Sequence, residues 1–211
     1  MTRALGVIYD LDGTLIDSRA DLADSVNAML RRLGLPERED RVIHGFIGEG
    51  VELLIRRSLG PQHEDRSAEA APIWRDEYAH RLLDKTRLYD GIAELLESPP
   101  DNRAVLTNKP GGFAREILRG LGVESRFRAV LGGDEAPRKP APGGLLRLCA
   151  ELGITRESAL LVGDSAVDVA TGKAAGVKVC AVSWGLGERA ALASSDYLCD
   201  TPQAVARLLG T

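Results

Sequence analysis

Two carboxylates, Asp10 and Asp12, lie two residues apart directly behind the apolar run 4–9, in the segment YDLDGTL at residues 9–15. The run predicts a short buried strand, so the pair falls at the carboxyl end of that strand, where open α/β sheets bind their ligands. Because side chains alternate along a strand, a spacing of two puts both carboxylates on one side. Two anions this close require a cation, a shared proton or bulk water. A surface turn at Asp12-Gly13 is the alternative, although it does not explain Asp10.

The composition is typical of an ordinary globular protein and argues against several functional classes. Of 211 residues, 44% are hydrophobic and 27% are charged, and 27 basic residues against 31 acidic ones give a net charge of −4. This balance gives no electrostatic footprint for nucleic acid, so no nucleic-acid partner is expected. The first apolar run is short and ends at Asp10, which predicts neither a signal peptide nor a membrane span. We therefore expect a cytoplasmic protein without a membrane partner.

The three cysteines, Cys149, Cys180 and Cys199, are far apart in the chain, and each lies in an apolar context. An odd number with this spacing favours reduced thiols in the core over disulfides or a metal cluster. The three histidines share no ligand spacing, and none lies beside a serine or cysteine in a nucleophile motif.

Two patterns divide the chain near residue 87. Between residues 18 and 87 the spacing of apolar residues is helical and no strand is predicted. One helical pattern runs through Ile73 to Leu83, and Pro72 indicates a helix start or a kink there. After residue 87, short apolar runs alternate with helical segments, which is typical of a parallel sheet with crossover helices. We predict strands at 4–9, 104–106, 129–131, 159–162 and 177–182, with helices near 90–97, 110–121, 142–152 and 166–175. The predicted fold is α/β, with a Rossmann-like, doubly wound parallel sheet at 1–17 and 88–211 and a small α-helical domain inserted at 18–87.

Polar groups suited to a phosphate site follow two of the later strands. Behind the strand at 104–106, Thr107 offers a hydroxyl, and the amides of Asn108 and of a helix that starts near Pro110 could hold phosphate oxygens. A simple helix cap is the alternative. Behind the strand at 129–131, Lys139 precedes a proline-started helix and could be a fixed positive charge, although loop lysines are usually solvated.

Acidic residues follow the strand at 159–162, where Asp164 and Asp168 lie four residues apart at the start of a helix. Helix capping and the helix dipole could explain Asp168, but they do not explain Asp164, which is expected at the same sheet edge as Asp10. With Asp12, this edge would gather about four negative charges, which Lys139 alone cannot balance. A hard divalent cation with oxygen ligands would balance them, so we predict Mg²⁺.

Together these motifs resemble the four signatures of the haloacid dehalogenase superfamily, and within it the phosphoglycolate phosphatases. The resemblance spans the whole chain and rests on DLDGTL at 10–15, TN at 107–108, KP at 139–140 and GDSAVD at 163–168. It implies that the helical insertion is a cap domain, that Mg²⁺ is the cofactor, and that the chain acts on a small phosphorylated metabolite as a monomer or homodimer.

The resemblance also implies a role for each motif residue. Asp10 would attack phosphorus as the nucleophile, and Asp12 would act as general acid and then general base. The metal would bind the Asp10 and Asp164 carboxylates and the Asp12 carbonyl, with Asp168 a ligand or a supporting group. The substrate phosphoryl group would be bound by Gly13, Thr107, Asn108 and Lys139.

Specificity is expected from the cap, where the loop at 45–50 carries Gly48 and Glu49 as candidate substrate contacts. A plain interhelical turn is the alternative for this loop. Arg56 and Arg57 could face a substrate carboxylate or be exposed, and Trp184 could line the cleft or be a packing residue.

The function predicted from the sequence is hydrolysis of 2-phosphoglycolate. The alternatives are another phosphatase of the superfamily acting on a sugar phosphate or pyrophosphate, a phosphomutase, and a non-catalytic protein that binds a phosphorylated ligand.

Overall fold

The computed structural model describes residues 6–210, in which strands and helices alternate apart from one helical block. In chain order the elements are β1 (Gly6–Tyr9), β2 (Ile16–Asp17), α1 (Arg19–Arg32), α2 (Asp40–His44), α3 (Val51–Leu59), α4 (Ser67–Ala79), β3 (Arg87–Leu88), α5 (Ile92–Glu97), β4 (Arg103–Leu106), α6 (Gly111–Gly120), β5 (Ala129–Leu131), α7 (Gly143–Glu151), β6 (Ala159–Gly163), α8 (Ala166–Ala175), β7 (Lys178–Val182), β8 (Tyr197–Cys199) and α9 (Pro202–Leu209). None of these helices combines the length and the apolar character needed to cross a bilayer.

Six parallel strands form one sheet in the order β5-β4-β1-β6-β7-β8. The chain runs from β1 outwards to β4 and β5, then returns to β6 on the other side of β1 and continues outwards again. This reversal makes the carboxyl ends of β1 and β6 a topological switch point, which is where such sheets form their binding crevice. The predicted α/β class with a doubly wound parallel sheet is confirmed.

Helices cover both faces of the sheet. Val7 and Tyr9 of β1 belong to one buried cluster, which α5, α6 and α9 complete, whereas Ile8 belongs to a second cluster with α7. Because both faces are buried, the central strands contain nearly continuous apolar residues instead of an alternating pattern.

The helical block α1–α4 lies between β2 and β3 and packs mainly through α1 against α4. Its buried residues, among them Leu22 and Trp74, belong to the same cluster as Val7 and Tyr9, so the apolar interior runs from the sheet into the block without a break. The division into a core at 1–17 and 88–211 and a cap at 18–87 stays a prediction; below, "cap" denotes α1–α4 and the loops that join them.

Two sets of hydrogen bonds join the chain segments at the two ends of the cap. The short strands β2 and β3 pair antiparallel, with Ile16 opposite Leu88. The fully buried carboxylate of Asp21 accepts hydrogen bonds from the backbone N–H groups of Lys85, at 3.0 Å, and of Thr86, at 2.7 Å. The chain segments that enter and leave the cap are therefore joined beside the sheet.

Two predictions within the cap are wrong in their bounds. The helix predicted through Ile73 to Leu83 begins at Ser67 and ends at Ala79, with Pro72 in its interior, and a kink at Pro72 stays a prediction. Burial of Trp74 and Tyr78, four residues apart on one face of α4, outweighs the lost hydrogen bond of an interior proline.

The expectation of no strand between residues 18 and 87 is also wrong at its last residue, because Arg87 pairs with Asp17. A strand of two residues is too short to show a period in the sequence. At the other end, Ala4 and Leu5 of the predicted first strand lie outside the described residues.

Candidate active site

Three buried carboxylates meet at the switch point of the sheet. Asp10 directly follows β1, Asp164 directly follows β6, and Asp168 lies in the first turn of α8. Each offers a carboxylate oxygen within 4.8 Å of the other two. The structure therefore brings together three of the four aspartates that the sequence assigned to the metal site.

Asp10 presents one engaged oxygen and one free oxygen. Its Oδ1 accepts a hydrogen bond from the backbone N–H of Leu11 at 2.7 Å and lies 2.7 Å from Nζ of Lys139. Across residues 6–210, no protein group donates to Oδ2. Burial raises the pKa of Asp10 well above its usual range, and the Lys139 ammonium opposes that rise.

Lys139 joins two of the three carboxylates. Its Nζ lies 2.7 Å from Oδ1 of Asp10 and 2.7 Å from Oδ1 of Asp168, and its side chain is 2% exposed. Burial by itself would lower the pKa of Lys139, but the two carboxylates outweigh burial and raise it. Lys139 is therefore a fixed cation and not a solvated loop lysine.

Asp164 and Asp168 are each held by neutral donors as well. Oδ1 of Asp164 accepts from the Thr14 hydroxyl at 2.9 Å, and Oδ2 accepts from the backbone N–H of Leu186 at 2.7 Å. Burial raises the pKa of Asp164 to about 6, and the nearby Asp168 carboxylate adds to the rise. Asp168 also caps α8, because its Oδ2 accepts hydrogen bonds from the backbone N–H of Ser165 at 3.1 Å and from the Ser165 hydroxyl at 2.7 Å. The capping role and the place in the cluster therefore coexist.

The Asp12 carboxylate lies outside this group and has its own cation. Nζ of Lys109 lies 2.9 Å from Oδ1 of Asp12, and the Ser18 hydroxyl donates to the same oxygen at 2.5 Å. Lys109 in turn donates to the Tyr78 hydroxyl of the cap at 2.8 Å. The metal contact predicted for Asp12 was through its carbonyl oxygen, and that contact stays a prediction.

The predicted charge balance needs correction, because Lys109 was not counted in it. Two buried lysines, Lys109 and Lys139, face the four aspartates, so the excess negative charge at this edge is about two instead of three. The sequence could have suggested Lys109 from its place directly behind Thr107-Asn108, but nothing local indicated that it would turn towards Asp12.

Thr107 and Asn108 are buried and line the same cavity as Asp10, and their contact with phosphate stays a prediction. The Thr107 hydroxyl accepts a hydrogen bond from the N–H of Lys109 at 3.1 Å. The Asn108 side chain joins three segments: its Nδ2 donates to the carbonyl oxygens of Gly48 and Lys139, both at 3.0 Å, and its Oδ1 accepts from the Lys139 N–H at 2.8 Å. Asn108 therefore links the cap loop to the Lys139 loop. Because its side chain is used in these contacts, only its backbone amide is left for the predicted phosphate contact.

One group expected to hold phosphate is engaged elsewhere. The first N–H of α6, at Gly111, donates to the Asp134 carboxylate at 2.8 Å, so this donor of the helix start is already used by the protein. The hydroxyl and amide groups at 107–108 stay the predicted phosphate donors of this loop.

Gly13 lies where a side chain would collide with the acidic cluster. Its φ is +86°, and a Cβ built on it would lie 2.3 Å from Oδ2 of Asp164. The conformation and the lack of space both require glycine here, and they allow the DLDGTL loop to pack closely on Asp164.

The cap loop closes over Asp10 and leaves a cavity of about 30 Å³ between core and cap, lined by Asp10, Asp12, Leu22, Phe46, Ile47, Gly48, Gly50, Val51, Leu54, Trp74, Thr107, Asn108 and Lys109. That volume holds roughly two water molecules, so the space between the cap loop and Asp10 is narrow. Gly48 lines the cavity. Glu49 is absent from the lining, because its carboxylate pairs with Arg57 at 2.6 Å.

The remaining candidates of the sequence are placed away from this cavity. Arg56 pairs with Glu64 at 2.6 Å on the cap surface. Trp184 packs behind the loop, and its Nε1 donates to the carbonyl oxygen of Thr14 at 3.1 Å. The cysteines are free and buried, as predicted.

The donor set of the cluster suits a hard divalent cation. Three carboxylates converge within 4.8 Å and are buried, so their mutual repulsion is poorly screened by solvent. Such an all-oxygen set is what Mg²⁺ and Ca²⁺ prefer, while nitrogen and sulfur ligands, which softer metals favour, are absent from this group. The site could therefore hold a metal ion.

Known proteins share both the sequence and the fold of this chain. The family model for haloacid dehalogenase-like hydrolases matches residues 7–182. A phosphoglycolate phosphatase of Chromobacterium violaceum is 36% identical over 198 residues, covering 88% of each chain, and one of Rhodospirillum rubrum is 40% identical over 191 residues, covering 85% of this chain and 79% of the other. A crystal structure from Haemophilus somnus, described as a predicted phosphoglycolate phosphatase, superposes with a TM-score of 0.89 at 29% identity and covers 99% of both chains. The chain belongs to the haloacid dehalogenase-like hydrolase family.

Proposed function

We propose that this hydrolase is a Mg²⁺-dependent phosphatase that cleaves a small phosphomonoester, with 2-phosphoglycolate as the first candidate substrate. The observation that carries the proposal is the surroundings of the buried Asp10 carboxylate. Lys139 holds its Oδ1, and no group within residues 6–210 donates to its Oδ2. Asp10 also lines a cavity together with Asp12 and Thr107. The names of the relatives, which are phosphoglycolate phosphatases at 36% to 40% identity, support the choice of substrate.

In the proposed first step, Oδ2 of Asp10 attacks phosphorus while the ester P–O bond breaks. The leaving alkoxide takes a proton from Asp12, and an aspartyl phosphate remains on Asp10. In the second step, a water molecule attacks phosphorus, Asp12 takes a proton from that water, and the bond to Asp10 breaks to release inorganic phosphate. Lys139 holds Asp10 in place during both steps.

A bound metal would be held by Asp10 and Asp164, with Asp168 as ligand or support, and would neutralise charge on the phosphoryl oxygens. The protein supplies the remaining contacts. Thr107, the Asn108 amide and Lys139 are proposed to bind the phosphoryl oxygens, and Gly13 allows the loop to approach Asp164.

The test is a phosphate-release screen with 5 mM Mg²⁺ over 2-phosphoglycolate, pyrophosphate and several sugar phosphates. We expect 2-phosphoglycolate to give the highest kcat/KM. If another ester has the highest kcat/KM, the proposed substrate is wrong but the proposed phosphatase activity stands. Transfer of phosphate to a second sugar without release of inorganic phosphate would indicate a phosphomutase, and no turnover of any ester would contradict the proposed function.

A further inference from the structure

The proposed mechanism gives no role to Lys109, a buried cation at the edge of the sheet. Lys109 is 6% exposed, and its Nζ contacts two groups, Oδ1 of Asp12 at 2.9 Å and the hydroxyl of Tyr78 at 2.8 Å. Asp12 belongs to the core, whereas Tyr78 belongs to cap helix α4. Lys109 therefore connects the cap to the residue proposed as acid and base.

Tyr78 is held rigidly at its end of this connection. Its ring is fully buried, stacks on Trp74 with centroids 4.9 Å apart, and meets Phe113 edge to face at 5.2 Å. Nζ of Lys109 also lies 4.8 Å from the centroid of the Tyr78 ring. The phenol thus has a fixed position, and its hydroxyl restricts where the flexible lysine side chain can point.

At the other end, the two oxygens of Asp12 are used differently. Oδ1 receives both the Lys109 ammonium and the Ser18 hydroxyl. No group within residues 6–210 donates to Oδ2, and Asp12 lines the cavity beside Asp10. The two contacts on Oδ1 restrict rotation of the carboxylate and leave Oδ2 as the oxygen that can exchange a proton with the leaving group or with water.

We propose that Tyr78 is a positioning residue through which the cap holds Lys109 against Oδ1 of Asp12 and so aims Oδ2 at the reacting atoms. The inference rests on the proposed phosphatase function. It assigns the cap a part in the chemical step, distinct from the contacts of its loop at 45–50 with the substrate. Because Tyr78 acts on the proton carrier and not on the phosphoryl group, its removal should lower kcat and leave KM nearly unchanged.

A purely structural role is the alternative, since a buried ammonium is costly unless it is paired and hydrogen-bonded. The two roles differ in what they change. A structural hydroxyl would affect stability and all substrates equally, whereas a positioning hydroxyl matters most when the leaving group needs a proton.

The test compares two variants that each remove one buried hydroxyl. Tyr78→Phe loses the hydrogen bond to Lys109, whereas Tyr89→Phe loses a buried hydroxyl that has no hydrogen-bond partner. For 2-phosphoglycolate, an alkyl ester, we expect Tyr78→Phe to lower kcat about tenfold with KM within twofold, because a misplaced catalytic group is penalised strongly. For p-nitrophenyl phosphate, whose leaving group needs no proton, the rate at which the first equivalent of p-nitrophenol is released in a stopped-flow experiment should fall less than threefold. Tyr89→Phe should match the wild type with both esters.

A second set of variants tests whether Tyr78 acts through Lys109. In the Lys109→Met background, the Tyr78→Phe change should have no further effect on kcat, because the hydroxyl has lost its partner. Additive losses, a first release of p-nitrophenol slowed as much as the turnover of 2-phosphoglycolate, or a Tyr78→Phe enzyme as active as Tyr89→Phe would each overturn the inference while leaving the phosphatase function intact. Wild-type protein that hydrolyses neither these two esters nor any other ester in the screen would contradict both proposals.

Discussion

Two ion pairs of nearly equal length behave differently in the core and in the cap. Lys139 and Asp10, at the edge of the sheet, are 2.7 Å apart with side chains 2% and 8% exposed. Arg57 of helix α3 and Glu49 of the cap loop are 2.6 Å apart, with side chains 36% and 42% exposed. Removing one partner of a buried pair costs about 3–5 kcal/mol, whereas exposed pairs contribute about 0–1 kcal/mol.

The difference in burial suggests different roles for the sheet edge and the cap surface. At the sheet edge, ion pairs and hydrogen bonds hold the four carboxylates and two lysines in place, so the geometry that the proposed phosphoryl transfer needs is present before substrate arrives. On the cap surface, the charged groups are solvated and free to exchange partners. The core is therefore suited to an invariant chemical step, and the cap loop can adjust to the rest of the substrate.

The largest effect is expected at the nucleophile. Asp10→Asn should lower kcat by ~10³-fold or more, because the amide cannot form the covalent intermediate. Circular dichroism should show an unchanged fold, and the exposed Asp65→Asn serves as a control that keeps full activity. Turnover by Asp10→Asn at the wild-type rate would show that another residue is the nucleophile.

The proton carrier should give the next effect, and its size should depend on the substrate. Asp12→Asn is expected to lower kcat about 10²–10⁴-fold on 2-phosphoglycolate, the usual contribution of general acid-base catalysis. With p-nitrophenyl phosphate, release of the first equivalent of p-nitrophenol in a stopped-flow experiment should be slowed much less. An equal loss with both esters would mean that Asp12 does not protonate the leaving group.

Metal binding should be visible as a stability change that depends on pH. The raised pKa of Asp164, about 6, means that its protonated form is favoured in the metal-free fold, so the stability it contributes is complete below pH 4 and is lost as the pH rises through 6. A cation competes with that proton, so Mg²⁺ should raise the melting temperature more at pH 7.5 than at pH 5. At 100 times Kd the gain is about 2.7 kcal/mol, or several degrees for a chain of this size.

Differential scanning fluorimetry at both pH values, with Asp164→Asn as the comparison, measures this effect. The variant should lose most of the shift at pH 7.5. A shift that is the same at both pH values, or that survives in Asp164→Asn, would argue against metal binding at this cluster.

The smallest effect is expected on the cap surface. Arg57→Ala should change the free energy of unfolding by under about 1 kcal/mol, since the pair with Glu49 is exposed. Any change in activity should appear in KM for the substrate and not in kcat. Urea unfolding and steady-state kinetics measure the two quantities, and a loss of kcat comparable with that of Asp12→Asn would remove the contrast between cap and core.

The sequence predicted most of the sheet edge because each element there has a local signal. The apolar run before Asp10 and the run before Asp164 both indicate buried strands, and in a parallel sheet the residues behind such strands reach one edge. The start of the helix around Pro72 was mispredicted because the local propensity of proline conflicts with the packing of Trp74 and Tyr78, which no local pattern can weigh.

The sequence by itself determined that two carboxylates end an apolar strand and that further polar motifs follow the other strands in order, because strand burial and alternation are local properties. Only the tertiary structure decided which charges meet. Lys109 contacts Tyr78, which lies 31 residues earlier in the sequence, and Asp12, which lies earlier still, because the cap packs back onto the sheet. Such contacts depend on how whole elements dock, so the partner that holds Asp12 could be found only once the chain was folded.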